Sequence, residues 1–518
     1  MIIISKTMKC NLCISFILLC ILNSFSSSAQ TVKSKKPNII FILSDDHTNK
    51  AIGVYGNKLA KTPNIDRIAK EGALFKNFFV TNSICGPSRA TLLTGKYSHV
   101  NGFISNDKKF DINQFIFSRT LEDSGYQTAW IGKWHLETLP RDAFSYWNIL
   151  PDQGYYFNPN FITQQNDTVS YKGYVTDIIT DLSENWIKNR DHAKPFFLVI
   201  GEKATHREWL PAIEDLGSYD DVNFPIPASF YDTYDKRKAA GHQDMSIAET
   251  MKLGFDLKIN VDYDTDWIYS RLDKEQRAAY KAYYGDKISK EFNEKKLSGK
   301  ALAEWKYQRY MRDYFATANS LDRNIGKILD FLDTNGLAEN TIVIYGSDQG
   351  FYLGEHGWFD KRFIYEESLR TPFMIRYPGV IKPGTVIEQS ALNIDWAPTL
   401  LDMAAVQSPK EIQGNSFAKL LENKTIPWRD RIYYHYYEYP QPHRVMPHFG
   451  IRTTRYKLAR FYGNENFWEL YDLKKDPQEL NNIYSQYENS KLVKKLKQDL
   501  NASIAEYKDD LAAQIISK

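Results

Sequence analysis

Asn38-Ile39-Ile40-Phe41-Ile42-Leu43-Ser44-Asp45-Asp46-His47 passes from an unbroken apolar run into a hydroxyl, two carboxylates and an imidazole. A run without polar alternation reads as a strand buried on both faces, the mark of a largely parallel sheet covered by helices. The pattern recurs three times. Thr128-Ala129-Trp130-Ile131 leads into Gly132-Lys133-Trp134-His135, and Phe196-Phe197-Leu198-Val199-Ile200 into Gly201-Glu202-Lys203-Ala204-Thr205-His206. Thr341-Ile342-Val343-Ile344-Tyr345 leads into Gly346-Ser347-Asp348-Gln349-Gly350. Ligands of such sheets bind beyond the carboxyl ends of the strands, so these four polar termini are expected to share one site.

Helical segments lie between the strands. Thr62-Pro63-Asn64-Ile65-Asp66-Arg67-Ile68-Ala69 predicts a helix with Thr62 as its cap and Pro63 in its first turn. Ser320 to Leu332 is amphipathic and predicts another, ending near Asn335-Gly336. Residues 213–300 are polar, charged and rich in Tyr, and read as an insertion over the sheet edge. After residue 425 the pattern changes to short strand-like pieces at 431–434, 450–453, 456–459 and 468–473, then a helix from Ser490 to Tyr507. The expectation is an α/β domain over 30–425 and a smaller C-terminal domain over 426–518 built on an antiparallel sheet.

The charge of +3 over 518 residues is nearly balanced and gives no concentrated basic face for nucleic acid. At the amino end, Lys6 and Lys9 precede an apolar run from Leu12 to Leu22, and Ser26-Ser27-Ser28-Ala29 follows. That order predicts a signal peptide over 1–29, cut after Ala29, and export to the periplasm or to the cell exterior or surface without stable membrane insertion. Cleavage removes Cys10, Cys13 and Cys20 and leaves Cys85 as a single thiol, which excludes an internal disulfide framework.

That thiol opens Cys85-Gly86-Pro87-Ser88-Arg89-Ala90-Thr91-Leu92-Leu93-Thr94-Gly95. Pro87 suits a first helical turn and Gly95 a helix end. Cys85 is therefore expected at a helix N-terminus, where free amides and the dipole favour an anion. The two pairs Asp45-Asp46 and Asp348-Gln349 close separate strands. Neighbouring carboxylates repel unless a cation lies between them, and an all-oxygen set suits a hard ion, Ca²⁺ or Mg²⁺.

The Cys-x-Pro-Ser-Arg motif followed by Ala-Thr-Leu-Leu-Thr-Gly resembles the signature of the formylglycine-dependent sulfatases. The resemblance extends to Asn393-Ile394-Asp395-Trp396-Ala397-Pro398-Thr399-Leu400-Leu401 and to Glu469-Leu470-Tyr471-Asp472-Leu473 with Asp476-Pro477. Ser347 to Trp358 and Phe230-Tyr231-Asp232-Thr233-Tyr234 resemble bacterial N-acetylglucosamine-6-sulfatases and mucin-desulfating enzymes, whose relatives act on glycosaminoglycans and on ulvan. The resemblance implies an alkaline-phosphatase-like α/β fold and hydrolysis of sulfate esters on polysaccharide-derived oligosaccharides. It implies a maturing enzyme that oxidises Cys85 to formylglycine, whose hydrate is the nucleophile held by Arg89. It implies a metal site of Asp45, Asp46, Asp348, Gln349 and the modified Cys85, with Ca²⁺ expected and Mg²⁺ as the alternative. Lys133 and Lys361 match its sulfate-holding lysines, and His135 and His206 its histidines. Thr205 stands where the family often has Pro, and Gln349 where many members have Asn.

Charge then assigns the roles. Lys133, Lys361 and the cation offset the sulfate oxygens, His206 protonates the leaving hydroxyl, and His135 acts as base. The Tyr-rich stretch 433–439 and the donors His443 and Arg452 are candidate sugar contacts, with His356 and Arg237 as further ones. Two other readings stand beside this one. A phosphatase or phosphodiesterase of the same superfamily would pair Ser or Thr with zinc-binding His, which the matching positions lack. A non-catalytic sugar-binding relative would not be expected to keep Cys85, Arg89, Lys133, His135, His206 and Lys361 together.

Overall fold

The computed structural model describes residues 36–518; the expected signal peptide lies outside them. Strands β1 (Asn38–Ser44), β2 (Ala73–Phe75) and β3 (Phe78–Phe79) come first, followed by β4 (Gln127–Lys133) and β5 (Tyr146–Leu150). Then come β6 (Asn160–Thr163), β7 (Thr168–Ser170), β8 (Phe196–Gly201) and β9 (Thr341–Ser347). β10 (Phe373–Arg376), β11 (Thr385–Ile387) and β12 (Ala391–Leu392) complete the larger part of the chain. Ten of these form one sheet in the order β11-β2-β10-β9-β1-β8-β4-β5-β6-β7, while β3 and β12 pair separately.

The centre of the sheet is parallel. β1 lies between β8 and β9, and β8 pairs on its other edge with β4. Leu43 is level with Gly201 on one side and Gly346 on the other, so the polar residues after each strand emerge side by side. Every residue of β1, β8 and β9 is buried, as their continuous apolar character requires. Separate apolar clusters line the two faces: Ile40, Ile42, Leu198 and Ile200 point into one, Phe41, Leu43, Phe197 and Val199 into the other.

The helix at Pro63–Lys70 forms with Pro in its first turn, but Thr62 makes no side-chain cap. Asp322 takes that role from a distant helix, its Oδ1 accepting the N–H groups of Asn64 and Ile65 at 2.9 Å each. The donor of that cap is far longer than its amphipathic stretch suggests: it runs Gly299–Thr334. Its first half buries Tyr307, Tyr310, Tyr314 and Phe315 against the insertion, together with Trp209, Tyr219 and Phe224.

Strands β13 (Arg431–Tyr436), β14 (His448–Thr453), β15 (Tyr456–Phe461) and β16 (Phe467–Asp472) form an antiparallel meander. The helix Lys491–Tyr507 follows, capped by Ser490, whose side chain accepts the Val493 N–H. The apolar cluster beneath this sheet also takes in Phe79, Ile84, Tyr352, Trp358 and Leu392 from the larger part of the chain. Pro37–Lys518 is one compact unit. Among the described residues no helix is long and apolar enough to cross a membrane.

Candidate active site

The ends of β1, β4, β8 and β9 surround the start of the helix Cys85–Thr94, every residue of which is buried. Gly95 ends that helix in the left-handed region at φ 61°. Gly86 is dictated by space: a Cβ there would stand 2.5 Å from the Phe103 ring and 2.8 Å from Asn106 Oδ1. Asp46 and His135 hold positive φ values of 60° and 56°, costly for residues with a Cβ and typical of side chains aimed by their surroundings.

Cys85 Sγ lies 3.2 Å from Asp45 Oδ1 and 3.5 Å from Gln349 Nε2. Lys361 Nζ stands 2.7 Å from both carboxylate oxygens of Asp46, and Lys133 Nζ contacts Asp45 Oδ2. Arg89 donates from Nη1 to the Lys133 carbonyl at 2.8 Å and pairs with Asp348 and Asp45. His206 Nδ1 faces the Arg207 carbonyl at 2.5 Å, which leaves Nε2 toward the cluster, 4.0 Å from Asp46 Oδ2. Thr205, joined to Ala204 by a cis peptide, hydrogen-bonds the Asp45 carbonyl through its N–H at 2.7 Å.

Burial and mutual charge set the protonation preferences. Asp46 is pushed up to about 7 by burial and by Asp45 and Asp348, against Lys361. Asp348 rises to about 6 through burial and the Asp45 charge. Asp45 goes the other way: burial raises it, but Lys133, His206 and Arg89 together hold it well below the usual carboxylate range. Burial and then the Lys133 charge lower both His135 and His206. The Cys85 thiol is raised by burial and Asp45, so it stays protonated and is a poor nucleophile as it stands.

Three carboxylates in one buried cluster fit a cation. Ligand-type atoms of Asp45, Asp46, Cys85 and His206 all lie within 4.8 Å of one another. Gln349 Oε1 is buried without a hydrogen-bond partner, and Asp45 Oδ2 has cationic neighbours but accepts no hydrogen bond. A half-turn of the Gln349 amide would direct its oxygen to the place its Nε2 holds, 2.6 Å from Asp46 Oδ1. Two oxygens so close are consistent with ligands of one hard ion. This is a candidate divalent-metal site.

Of the expected sugar contacts, His443 borders the cluster, its Nε2 3.3 Å from Asp360 Oδ2 beside Lys361. Arg237 and His356 are not part of it: both are buried and engage Asp232, His356 at 2.9 Å. Arg452 pairs with Glu366 over the Phe79 ring and lines a different cavity with Arg370 and Arg455. Several residues at the site escape a reading of the apolar runs. Gln153 Oε1 accepts from Lys133 Nζ at 2.5 Å, and its amide nitrogen lies 2.7 Å from His135 Nε2. Arg362 pairs with Asp360 and Glu438, and Glu438 accepts the Asn106 N–H at 3.0 Å. Asn106 in turn accepts the Gly86 N–H at 3.0 Å, linking the C-terminal part of the chain to the Cys85 turn. Gln153 had one available signal, because it follows β5 as the other site residues follow their strands.

Fold and site together define a family. Residues 37–406 match the sulfatase family, and 354–506 match the C-terminal region of N-sulphoglucosamine sulphohydrolase. The chain belongs to the sulfatase family. It is similar to an N-acetylglucosamine-6-O-sulfatase of Bacteroides thetaiotaomicron, at 47% identity over 93% of this chain and 89% of that one. An ulvan-active sulfatase of Formosa agariphila is 27% identical over 97% of this chain and 88% of its own length. A solved structure of a protein with its substrate D-glucosamine-2-N,6-O-disulfate superposes with a TM-score of 0.88 at 47% identity. It covers 92% of this chain and 99% of the other. The protein is thus a hydrolase of sulfate esters.

Proposed function

We propose that this enzyme removes the 6-O-sulfate from glucosamine or N-acetylglucosamine units of sulfated glycans, after export and after conversion of Cys85 to formylglycine. The observation that carries the reading is Cys85 at a buried helix N-terminus, ringed by Asp45, Asp46, Gln349, Lys133 and Lys361. Identity of 47% with an N-acetylglucosamine-6-O-sulfatase supports the sugar and the position.

Asp45, Asp46, Asp348, Gln349 and an oxygen of the modified Cys85 would hold the cation, which we take to be Ca²⁺. When bound, it supplies positive charge that offsets the sulfate oxygens. Lys133 and Lys361 flank the Cys85 side chain and add to that field. Arg89 fixes the Asp348 carboxylate and the turn carrying the nucleophile. A hydroxyl of the Cys85-derived hydrate attacks sulfur as the sugar oxygen departs, and His206 gives that oxygen a proton from Nε2. The sulfate ester brings the negative charge that favours a proton on His206. His135, oriented by Gln153, takes the proton of the remaining geminal hydroxyl, and the C–O bond to sulfate breaks as the aldehyde re-forms. A serine or an unmodified thiol at position 85 lacks that exit.

The test is release of inorganic sulfate from N-acetylglucosamine carrying sulfate at O6, O4 or O3, with a 2-O-sulfated uronic acid as control. Turnover of the 6-sulfate at least about a hundredfold above the others supports the reading. Preference for any other position overturns it.

A further inference from the structure

A second cavity of about 370 Å³ opens beside the site, within the size range of sites for small molecules. Three segments build it: the loop after β5, the loop after His206, and the 3-10 turn Trp267–Tyr269 of the insertion. Trp267 is 58% exposed, more than any other large hydrophobic side chain among the described residues, and Tyr155 is 38% exposed. Exposed aromatic rings lining a cavity suit the apolar face of a sugar ring. The carboxylates of Asp152 and Glu208 also line it. Neither has a hydrogen-bond partner among the described residues, and the buried Lys203 ammonium interacts with the charge of both. The guanidinium of Arg271 lies 5.5 Å from the Tyr155 ring centre and has Nε and Nη2 committed to Asn158 and Asn160.

The cavity is joined to the site through shared residues. Gln153 lines it and at the same time contacts Lys133 Nζ and His135 Nε2. Tyr156, in its wall, donates its hydroxyl to the His206 carbonyl at 2.6 Å. A sugar seated here would adjoin the unit whose sulfate is cleaved.

We propose that this cavity binds the neighbouring saccharide unit of the substrate, stacked on Trp267 and Tyr155. The proposal rests on the reading of the enzyme as a glucosamine 6-sulfatase, and it gives the insertion a role in specificity.

The experiment compares kcat/KM for sulfate release from two compounds, N-acetylglucosamine 6-sulfate and the same unit linked to galactose. In the wild type the galactose-linked compound should exceed the monosaccharide by three- to tenfold, about the scale of one good aromatic contact. Trp267→Ala should bring the galactose-to-monosaccharide ratio to about one. Trp267 is exposed, so folding is not at stake, and the monosaccharide serves as internal reference. An equal rate for monosaccharide and galactose compound in the wild type, or a ratio untouched by Trp267→Ala, overturns the subsite while leaving the 6-sulfatase reading intact. Absence of sulfate release from both overturns that reading too.

Discussion

Arg89 holds Asp348 through two hydrogen bonds to one oxygen, Nε at 3.1 Å and Nη2 at 3.0 Å from Oδ2, and neither side chain has exposed surface. The third guanidinium nitrogen reaches the Lys133 carbonyl, so one side chain ties the Cys85 helix to the ends of β9 and β4. Arg89→Gln leaves Asp348 buried and without its cation, beside the charge of Asp45. Breaking a buried pair from one side costs about 3–5 kcal/mol. Urea unfolding of the variant should show a loss of that size, and sulfate release should fall at least about a hundredfold. A variant as stable as the parent would show that the pair contributes nothing to the fold.

The chemistry proposed for Cys85 has a mass signature. Oxygen replaces sulfur and two hydrogens leave, so the peptide containing residue 85 should be about 18 Da lighter than its sequence mass in active protein. Cys85→Ser is the sharper variant. A serine can accept the sulfate once but has no geminal hydroxyl with which to expel it, so multiple turnover should be lost while the fold remains. Sustained turnover by Cys85→Ser, or an unmodified thiol in fully active protein, would rule out the hydrate mechanism.

The four strands that carry the site are legible because each has an apolar run with a polar cluster at its carboxyl end. Periodicity alone cannot separate such a run from a buried helix segment, but short length, β-branched content and the Gly or polar cluster at the end do. β5 is less so, because Tyr146 and Asn148 interrupt its pattern, and Gln153 is missed with it. The cap of the helix Pro63–Lys70 is beyond any local reading. Asp322, not Thr62, supplies it, across 257 residues of sequence to Ile65. Arg237 and His356 are donor types in the right neighbourhood, yet Asp232 claims both. Residue type gives the chemistry a side chain can perform, but its partners are chosen by packing between distant segments.

Gln349 permits a test of the candidate metal site that leaves its charge unchanged. Its buried Oε1 has no hydrogen-bond partner, which is costly unless a cation takes it up. Gln349→Leu keeps the volume and removes the amide. Calorimetric titration of chelator-treated protein with Ca²⁺ should show affinity lowered about 10- to 100-fold. The parent should lose activity in chelator and recover it on Ca²⁺ addition. Equal affinities in the two proteins would remove Gln349 from the coordination set.

His448 offers a pH prediction away from the site. It is buried, its Nδ1 facing the Met446 carbonyl at 2.8 Å while Nε2 accepts the Ile364 N–H at 3.0 Å. That pairing demands the neutral ring, and burial lowers its pKa to about 3. The unfolded chain takes up the proton near 6.5, so between those values the unfolded state binds more protons and folding stability decreases as the pH is lowered. The contribution is complete above about 6.5 and shrinks by about 1.4 kcal/mol for each unit below it. Buried carboxylates such as Glu469, raised to about 7, oppose this in the wild type, so the informative quantity is a difference. His448→Gln keeps an acceptor for Ile364 and cannot titrate. Its stability deficit against the parent should therefore narrow by about 1 kcal/mol between pH 6.5 and 5.5 in denaturant unfolding. A deficit independent of pH would mean that His448 is protonated in the folded protein as readily as in the unfolded one.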